Sequence, residues 1–331
     1  MPTCVMHIGA TKTGSKYLQT SLAALAGELL KDGICYPTTL FSPKPQVWHR
    51  GLATLLQQGR STELENIFHD LGAGGYRYVC FSNEGFWRLS EEQLLYLREL
   101  LSGFEIRIVH YCRRWSERIP SLWKQNVKEG FVVTFPEYLS RAIRAPLMVP
   151  DLNHRLVWDK FAAVFGRESL HVVPFNNLVD NEVDLVEHFL ETFFGWQYAQ
   201  PPENTLSNES PDMFDCEILR ALNAIHLRKT GSTSDQVRIR FLRQRKTLEV
   251  DYLLQVMSND LGEMVVSDHF QVFQPVYAQM RTYRDRLVSR QYGDELFTFK
   301  ANKGNYVQQN YLLDHEATRE LHRLYEEIWA S

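Results

Sequence analysis

The chain opens with an apolar run that passes through a loop rich in glycine, hydroxyl and lysine residues into a helical pattern. Cys4-Val5-Met6 is the apolar run, within a strand predicted at 4–9. The stretch 7–19 contains the loop, and leucines recur at positions 18, 22, 25 and 29. A strand that turns through such a loop into a helix makes an anion cradle, because loop amides point inward and the helix N-terminus carries partial positive charge. Lys12 and Lys16 add full positive charges. This stretch therefore predicts a phosphate-binding loop.

Strand-like runs alternate with helical patterns over the next part of the chain. The patterns predict strands at 34–37, 76–81, 104–111 and 170–175, and helices at 15–33, 49–59, 63–71, 90–103, 116–129, 134–143, 153–165 and 184–194. This order is typical of an α/β fold with three layers, a parallel sheet between helices, and a P-loop-type nucleotide-binding core. Ligands of such sheets bind at the carboxyl ends of the strands. Gly9, Glu84 and Arg113 each follow a strand, so we expect them to converge.

The residues after about 205 are polar and mostly helical in pattern. No linker, internal repeat or low-complexity segment separates them from the preceding residues. We therefore predict one domain over residues 1–331, with an α/β core at 1–195 and a mostly helical C-terminal elaboration at 196–331.

Composition and charge narrow the class of protein. The chain has 331 residues, of which 44% are hydrophobic, so it can bury a sizeable core. A formal net charge of -4 gives no global basic field for nucleic acid. The five cysteines are scattered and predict buried, reduced thiols rather than disulfides or a metal site. With no signal segment and no apolar run of about 18 residues, we expect a cytoplasmic protein without a membrane span.

The loop differs from that of nucleoside triphosphatases in the order of its last residues. Gly9 and Gly14 have the spacing of G-x-x-x-x-G-K-[ST], but Ser15-Lys16 reverses the final pair. Neither the lysine nor the hydroxyl is then in register for the β/γ-phosphates and magnesium. A P-loop kinase or NTPase is therefore disfavoured and is kept as the alternative function.

The loop instead resembles that of the sulfotransferases that use 3′-phosphoadenosine 5′-phosphosulfate (PAPS). Lys12-Thr13-Gly14-Ser15 matches their Lys-[Thr/Ser]-Gly-Thr-Thr loop, and the His-x-Gly-x-x-Lys-Thr-Gly context is similar to bacterial and Golgi-type carbohydrate sulfotransferases. Lys16 departs from the family, which usually has a second threonine there. A second motif agrees, since Arg113 follows a strand and Ser121 lies eight residues later. The resemblance covers about residues 1–195.

The resemblance implies sulfuryl transfer from PAPS to a hydroxyl, or less favourably an amine, of a carbohydrate, glycolipid or small-molecule acceptor. The product nucleotide is adenosine 3′,5′-bisphosphate, and no metal is required. Lys12 would stabilise the leaving phosphate. Apart from the resemblance, we expect residues 196–331 to contribute to the acceptor site. The resemblance places the other donor contacts at Thr13, Gly14, Ser15, Lys16, Tyr17, Arg113 and Ser121. A nucleotide-binding member of the family without turnover is a further alternative.

Two residues are candidates for the general base that the acceptor hydroxyl needs. Glu84 follows a strand, and Golgi-type relatives place a catalytic glutamate after a comparable strand; a capping or substrate-orienting role is the alternative. His49 is the rival, since histidine is the usual base near neutral pH, but a capping role at its helix start fits as well. His7 is expected to be structural and His110 to be a core histidine.

The sequence is compatible with two roles for several other residues. Tyr17 either stacks on adenine, as a tryptophan does in cytosolic sulfotransferases, or is a core aromatic. The basic stretch 238–246 either faces an anionic acceptor or a membrane surface, or is a solvated helix face. Trp115 and Trp123 are expected in the core rather than as sugar platforms. Nothing in the sequence indicates the oligomeric state.

Overall fold

The computed structural model describes residues 1–41, 47–197, 211–288 and 295–330. The strands are β1 (Thr3–His7), β2 (Ile34–Cys35), β3 (Tyr78–Ser82), β4 (Glu105–Cys112), β5 (Leu170–Pro174), β6 (Leu261–Ser267) and β7 (Ala301–Val307). The helices are α1 (Ser15–Lys31), α2 (Arg50–Gln58), α3 (Thr62–Ala73), α4 (Glu91–Leu100), α5 (Trp115–Lys128), α6 (Phe135–Arg144), α7 (Arg155–Phe165), α8 (Phe175–Asp180), α9 (Leu185–Phe194), α10 (Met213–Thr230), α11 (Gln236–Gln244), α12 (Asp251–Asn259), α13 (Gln274–Met280) and α14 (His315–Ala330). Short 3₁₀ helices include Glu84–Arg88.

The chain divides into two compact units that alternate along the sequence. The first comprises Met1–Arg114, Pro146–Ser207 and Gln274–Thr298, and the second comprises Trp115–Ala145, Asn208–Phe273 and Phe299–Ser331. This division differs from the boundary predicted at residue 195. The segment after α13 belongs to the first unit because Leu287 forms a bridge beside Val172 of β5.

The first unit is built on a parallel sheet with strand order β2-β3-β1-β4-β5. Helices cover both faces. On one face Val5, Tyr111 and Val173 pack with residues of α1 and α9. On the other face Phe68 of α3 packs on Phe81, and Trp158 of α7 hydrogen-bonds to His110. Strands buried on both faces need continuous apolar runs, which explains why the sequence pattern located them. The predicted α/β class, with helices flanking a parallel sheet, is confirmed.

The order of the strands creates a switch point at β1 and β4. The chain leaves β1 toward β2 and β3 on one side, and leaves β4 toward β5 on the other side. In register, His7 at the end of β1 lies opposite Ser82 of β3 and Val109 of β4. Open α/β sheets bind ligands outside the carboxyl ends of strands at such a point. The segment after β1 and Arg113 after β4 both lie there.

The second unit contains a strand pair that the sequence pattern did not indicate. β6 and β7 pair antiparallel, from Leu261 opposite Val307 to Ser267 opposite Ala301, within a region predicted as mostly helical. Few of their residues are buried, so the apolar alternation that marks a strand is weak.

A proline lies inside α5 and leaves a helical carbonyl without its usual donor. Pro120 has no N–H to give to Ser116, four residues earlier. The Asn302 side-chain amide donates to that carbonyl at 3.2 Å. Asn302 thus stabilises the first turns of α5, the helix that also carries Ser121.

We predict that Asn302→Ala lowers the free energy of unfolding by about 1 kcal/mol, because the Ser116 carbonyl loses its donor. In a Pro120→Ala background the backbone N–H at position 120 can donate to the Ser116 carbonyl instead. Asn302→Ala should then lower the free energy of unfolding by less. Urea unfolding of the four proteins of this cycle measures the coupling. Equal costs of Asn302→Ala in both backgrounds would contradict the assignment.

Candidate active site

The segment between β1 and α1 is a tight loop whose backbone depends on glycine. Gly9 and Gly14 have φ values of 107° and 77°, in the left-handed region that favours glycine. A Cβ added at Gly14 would lie 2.6 Å from Leu185 Cδ2, so α9 also leaves no space there. Lys12 has φ 65°, which costs a residue with a side chain about 1–2 kcal/mol. Strain of this kind concentrates at functional sites.

Two hydroxyl groups fix the shape of the loop from inside. The buried Thr13 and Ser15 side chains both donate to the Ala10 carbonyl, at 2.6 and 3.2 Å. A hydroxyl that donates to this carbonyl cannot give the same hydrogen to a phosphate. An anion in the loop would therefore be bound mainly by backbone amides and lysines, while the hydroxyls keep the loop in shape.

The N-terminus of α1 keeps the positive end of the helix dipole at this loop. Gly14 is the N-cap, no side chain caps the helix, and its first turn contains no acidic residue. That turn itself therefore supplies no carboxylate to neutralise the partial charge of the helix dipole. Lys12 is half-buried in the loop, whereas Lys16 is exposed on the first turn. The loop and helix start have the charge and geometry of an anion site.

Glu84 and Arg113 flank this loop from the two neighbouring strands. The Cα and Cβ atoms of Glu84 lie 3.5 Å from the position that a Cβ of Gly9 would occupy. Arg113 Nη1 donates to the Lys12 carbonyl at 2.7 Å. Pairing of β1 with β4 continues past the strand, since Ala10 and Tyr111 remain hydrogen-bonded at 2.9 Å. The predicted convergence of Gly9, Glu84 and Arg113 is confirmed.

The backbone that carries Glu84 is fixed by the buried residue before it. The Asn83 N–H donates to the His7 carbonyl at 3.0 Å, and its side-chain amide donates to the His49 carbonyl at 3.2 Å. Its side-chain oxygen accepts from the Gly85 N–H at 2.9 Å, which starts the 3₁₀ helix. Glu84 is half-buried at the first position of that helix.

His49 holds this turn rather than offering a base. It is fully buried, and the Ser82 N–H donates to its Nδ1 at 3.0 Å. Nε2 then carries the proton and donates to the Pro37 carbonyl at 3.0 Å. Burial lowers the pKa of His49 to about 3. The predicted catalytic role of His49 is therefore corrected to a structural one, because neither ring nitrogen can take a proton from an acceptor.

His7 and His110 are structural histidines, as the sequence predicted. His7 Nδ1 lies 2.7 Å from Ser82 Oγ, and burial lowers the pKa of His7 to about 3. His110 Nδ1 accepts from the Trp158 indole N–H at 3.1 Å. His7, Ser82 and His49 form one buried group beneath the loop and Glu84.

Tyr17 joins two helices, which favours the core reading of this residue. Its ring packs against the buried cluster between α1 and α9. Its hydroxyl donates to Asp184 Oδ2 at 2.7 Å, while Asp184 Oδ1 caps α9. These contacts favour the packing role, and stacking of the half-buried Tyr17 ring on adenine stays a prediction.

Arg114, next to Arg113, is a structural clamp that sequence reasoning did not separate from its neighbour. Its guanidinium pairs with both oxygens of Asp180 at 3.0 Å. Its backbone N–H donates to Asn176 Oδ1 at 2.7 Å. These contacts join the end of β4 to α8. Adjacent arginines at a strand end give no sequence signal of which one is buried.

The second unit contains Trp115, Trp123, the basic stretch 238–246 and Ser121. Trp115 and Trp123 are buried, as expected for core residues. Within the basic stretch, Arg240 lies over the Trp329 ring at 4.4 Å, and Arg245 pairs with Asp215. These two cations are thus engaged within the chain. Ser121 is half-buried in α5, and its contact with the donor stays a prediction.

A cavity of about 360 Å³ opens in the first unit at the amino ends of β4 and β5, the opposite end of the sheet from the loop. Its cations are already paired, Arg107 with Glu105 and Arg286 with Asp285. No residue of the loop lines it. The cavity is therefore separate from the candidate site.

The part of the chain that the structure describes offers neither a metal-ligand cluster nor a membrane-spanning helix. That part contains no group of three or more His, Cys, Asp or Glu side chains arranged to hold a metal ion. None of its helices is both long and apolar enough to cross a bilayer. All five cysteines are buried, and none of them forms a disulfide.

Comparisons with known proteins are sparse. No protein-family model and no curated protein matches the chain. A solved crystal structure of a sulfotransferase from Alicyclobacillus acidocaldarius matches with 18% identity and a TM-score of 0.38, over 72% of this chain and 99% of that chain.

We predict that Gly14→Ala lowers the free energy of unfolding by about 2 kcal/mol or more, since the new Cβ meets Leu185 and φ is positive. Gly27→Ala in the same helix is the matched control. Nothing lies within 4 Å of its Cβ, so it should be neutral or stabilise by up to about 1 kcal/mol. Chemical denaturation measures both, and equal effects would contradict the packing described for the loop.

Buried histidines predict a loss of stability at mildly acid pH. Burial lowers the pKa of His7 and His49 to about 3 and that of His188 to about 4, from an ordinary value of 6.5. Below pH 6.5 the unfolded chain binds protons that the folded chain does not, so stability falls as pH is lowered toward these values. Each histidine adds a slope of up to about 1.4 kcal/mol per pH unit.

His49→Gln should therefore reduce the slope of unfolding free energy between pH 6.5 and 5, where most carboxylates stay ionised. The control is His69→Gln, because that side chain is 81% exposed and meets water in both states. Denaturant titrations at several pH values measure the slopes. A slope unchanged by His49→Gln, or changed equally by His69→Gln, would refute the explanation.

Proposed function

We propose that this chain is a PAPS-dependent sulfotransferase that acts on a hydroxyl of a carbohydrate, glycolipid or small-molecule acceptor. One observation carries the proposal. A loop with an internal lysine and an uncapped helix N-terminus lies at the switch point of the sheet, with Glu84 packed on Gly9 and Arg113 bonded at Lys12. This arrangement brings a cation and a carboxylate to one loop and supports the proposal that the loop binds an anion.

The loop fits the phosphosulfate end of the donor. Amides of the loop and the first turn of α1 would bind the 5′-phosphate, as they do at helix N-termini generally. Thr13 and Ser15 would act mainly through the loop shape, given their bonds to the Ala10 carbonyl. Arg113 and Ser121 are proposed for the 3′-phosphate on the family resemblance.

The reaction needs charge stabilisation more than covalent chemistry. The bond between sulfur and the bridging phosphate oxygen breaks, and a bond between sulfur and the acceptor oxygen forms. The acceptor proton passes to the Glu84 carboxylate, and adenosine 3′,5′-bisphosphate leaves. Lys12 is proposed to stabilise the negative charge that grows on the bridging oxygen, a contact worth several kcal/mol in a closed site.

Glu84 is the proposed base because it is the candidate that lies at the loop, half-buried and packed on Gly9. Asn83 fixes its backbone, while the rival His49 has both ring nitrogens bonded. A carboxylate held by a rigid turn beside the donor loop can meet the hydrogen-bond distance that proton transfer requires.

The alternative, a P-loop kinase or NTPase, has less support from the site. That chemistry needs a lysine after Gly14 directed at the β/γ-phosphates and a following hydroxyl on magnesium. Here Ser15 occupies the lysine position and bonds to Ala10, and Lys16 is exposed.

Calorimetric titration distinguishes the two functions. We expect adenosine 3′,5′-bisphosphate to bind without magnesium and more tightly than ATP with magnesium. Incubation with PAPS and a panel of sugars, glycolipids and phenols, read by mass spectrometry, should reveal a sulfated product. Preferred binding of ATP with magnesium would overturn the proposal. Binding of the bisphosphate with no product from any acceptor would favour a binding protein without turnover.

Two substitutions test the proposed roles. Lys12→Ala should lower kcat by about 10²–10³-fold through lost charge stabilisation, and Glu84→Gln by about 10²-fold or more while leaving bisphosphate affinity unchanged. Lys31→Ala, at the exposed far end of α1, and Glu91→Gln, exposed at the start of α4, are the charge-matched controls. A Glu84→Gln enzyme with normal kcat would exclude Glu84 as the base.

A further inference from the structure

The 3₁₀ helix Glu84–Arg88 presents a second side chain beside the proposed base. A 3₁₀ helix has three residues per turn, so side chains three apart lie on one face, about 6 Å apart along the axis. Glu84 and Trp87 therefore share a face, and Trp87 lies one turn from the carboxylate.

Burial of the neighbouring residues fixes which face turns toward the core. Phe86 and Leu89, also three apart, are both completely buried. Glu84 and Trp87 are half-buried, and Arg88 is exposed. The helix is thus anchored by one apolar face, and the face with Glu84 and Trp87 is left at the rim, partly open to solvent.

Both ends of this helix are fastened to buried structure. Asn83 caps its start and bonds to His49. At the other end, Lys160 of α7 donates to the Trp87 carbonyl and, at 2.8 Å, to the Leu89 carbonyl. The Arg88 guanidinium carbon lies 5.3 Å from the centre of the Trp87 ring, which restrains the indole further. The backbone that carries this half-exposed ring is thus fixed at both ends, which suits a binding surface better than a loop side chain would.

We propose that Trp87 is the platform that positions the acceptor of the sulfotransferase reaction. The indole would bind the flat face of a ring-shaped acceptor, so that a ring hydroxyl lies one helical turn away at Glu84. The chemistry recognised is a ring with an apolar face and a hydroxyl at its edge, which a pyranoside and a phenol share. This inference rests on the proposed function and adds the shape of its acceptor.

The test compares Trp87→Ala and Trp87→Phe with wild type, using PAPS and three probes: methyl β-D-galactopyranoside, 4-nitrophenol and the open-chain alcohol 1-hexanol. Sulfated products are quantified by mass spectrometry. Trp196→Phe is the matched control, since this half-buried tryptophan bonds to Asp32 at the far end of α1. Bisphosphate affinity is measured for each variant by calorimetry.

We expect wild type to use a ring probe in preference to 1-hexanol. Trp87→Ala should raise KM for that ring probe about tenfold, with bisphosphate affinity unchanged. Trp87→Phe should keep KM close to the wild-type value. The preferred ring probe identifies the source as sugar or phenol. Lack of preference for either ring over 1-hexanol, or a Trp87→Ala enzyme with unchanged KM, would overturn the inference. Failure of wild type to bind the bisphosphate would instead refute the proposed function.

Discussion

The site depends on the parallel pairing of β1 with a strand on each side. His7 lies opposite Ser82 on β3 and Val109 on β4, so whatever follows these three strands emerges at one edge of the sheet. The loop, Glu84 and Arg113 follow them in that order. A slip of register in either pair would turn the following side chain to the other face and separate the carboxylate or the guanidinium from the loop.

The polar groups of the loop fix its shape through hydrogen bonds within the chain. Thr13 and Ser15 both bond to Ala10, Arg113 bonds to Lys12, and Leu185 packs on Gly14. Such preorganised dipoles stabilise developing charge without rearranging at the moment of reaction. Beneath the loop, Ser82 joins His7 and His49, which keeps two neutral imidazoles where a charged side chain would not be tolerated.

Much of the first unit could be predicted from sequence, because buried parallel strands and capped helices leave strong patterns. Ser90 with Gln93 predicts a capping box, and both of its hydrogen bonds form. Roles set by tertiary contacts could not be predicted. Both ring nitrogens of His49 are hydrogen-bonded, which excludes it as a base, and the sequence gives no sign of these contacts. The strands β6 and β7 lack the apolar alternation of buried strands, so the sequence pattern did not indicate them. The position of Trp87 directly one turn from Glu84 depends on the 3₁₀ helix, since an α-helix would rotate the two side chains by about 60° about its axis.

The central claim is that the loop after β1 is the donor's anion site, and amide hydrogen exchange with adenosine 3′,5′-bisphosphate tests it most directly. Exchange of the amides at residues 11–17 should slow on addition of the nucleotide, with no comparable change at the cavity lined by Arg107, His171 and Arg286. Protection at that cavity without protection of the loop would contradict the account, as would unchanged exchange throughout residues 11–17.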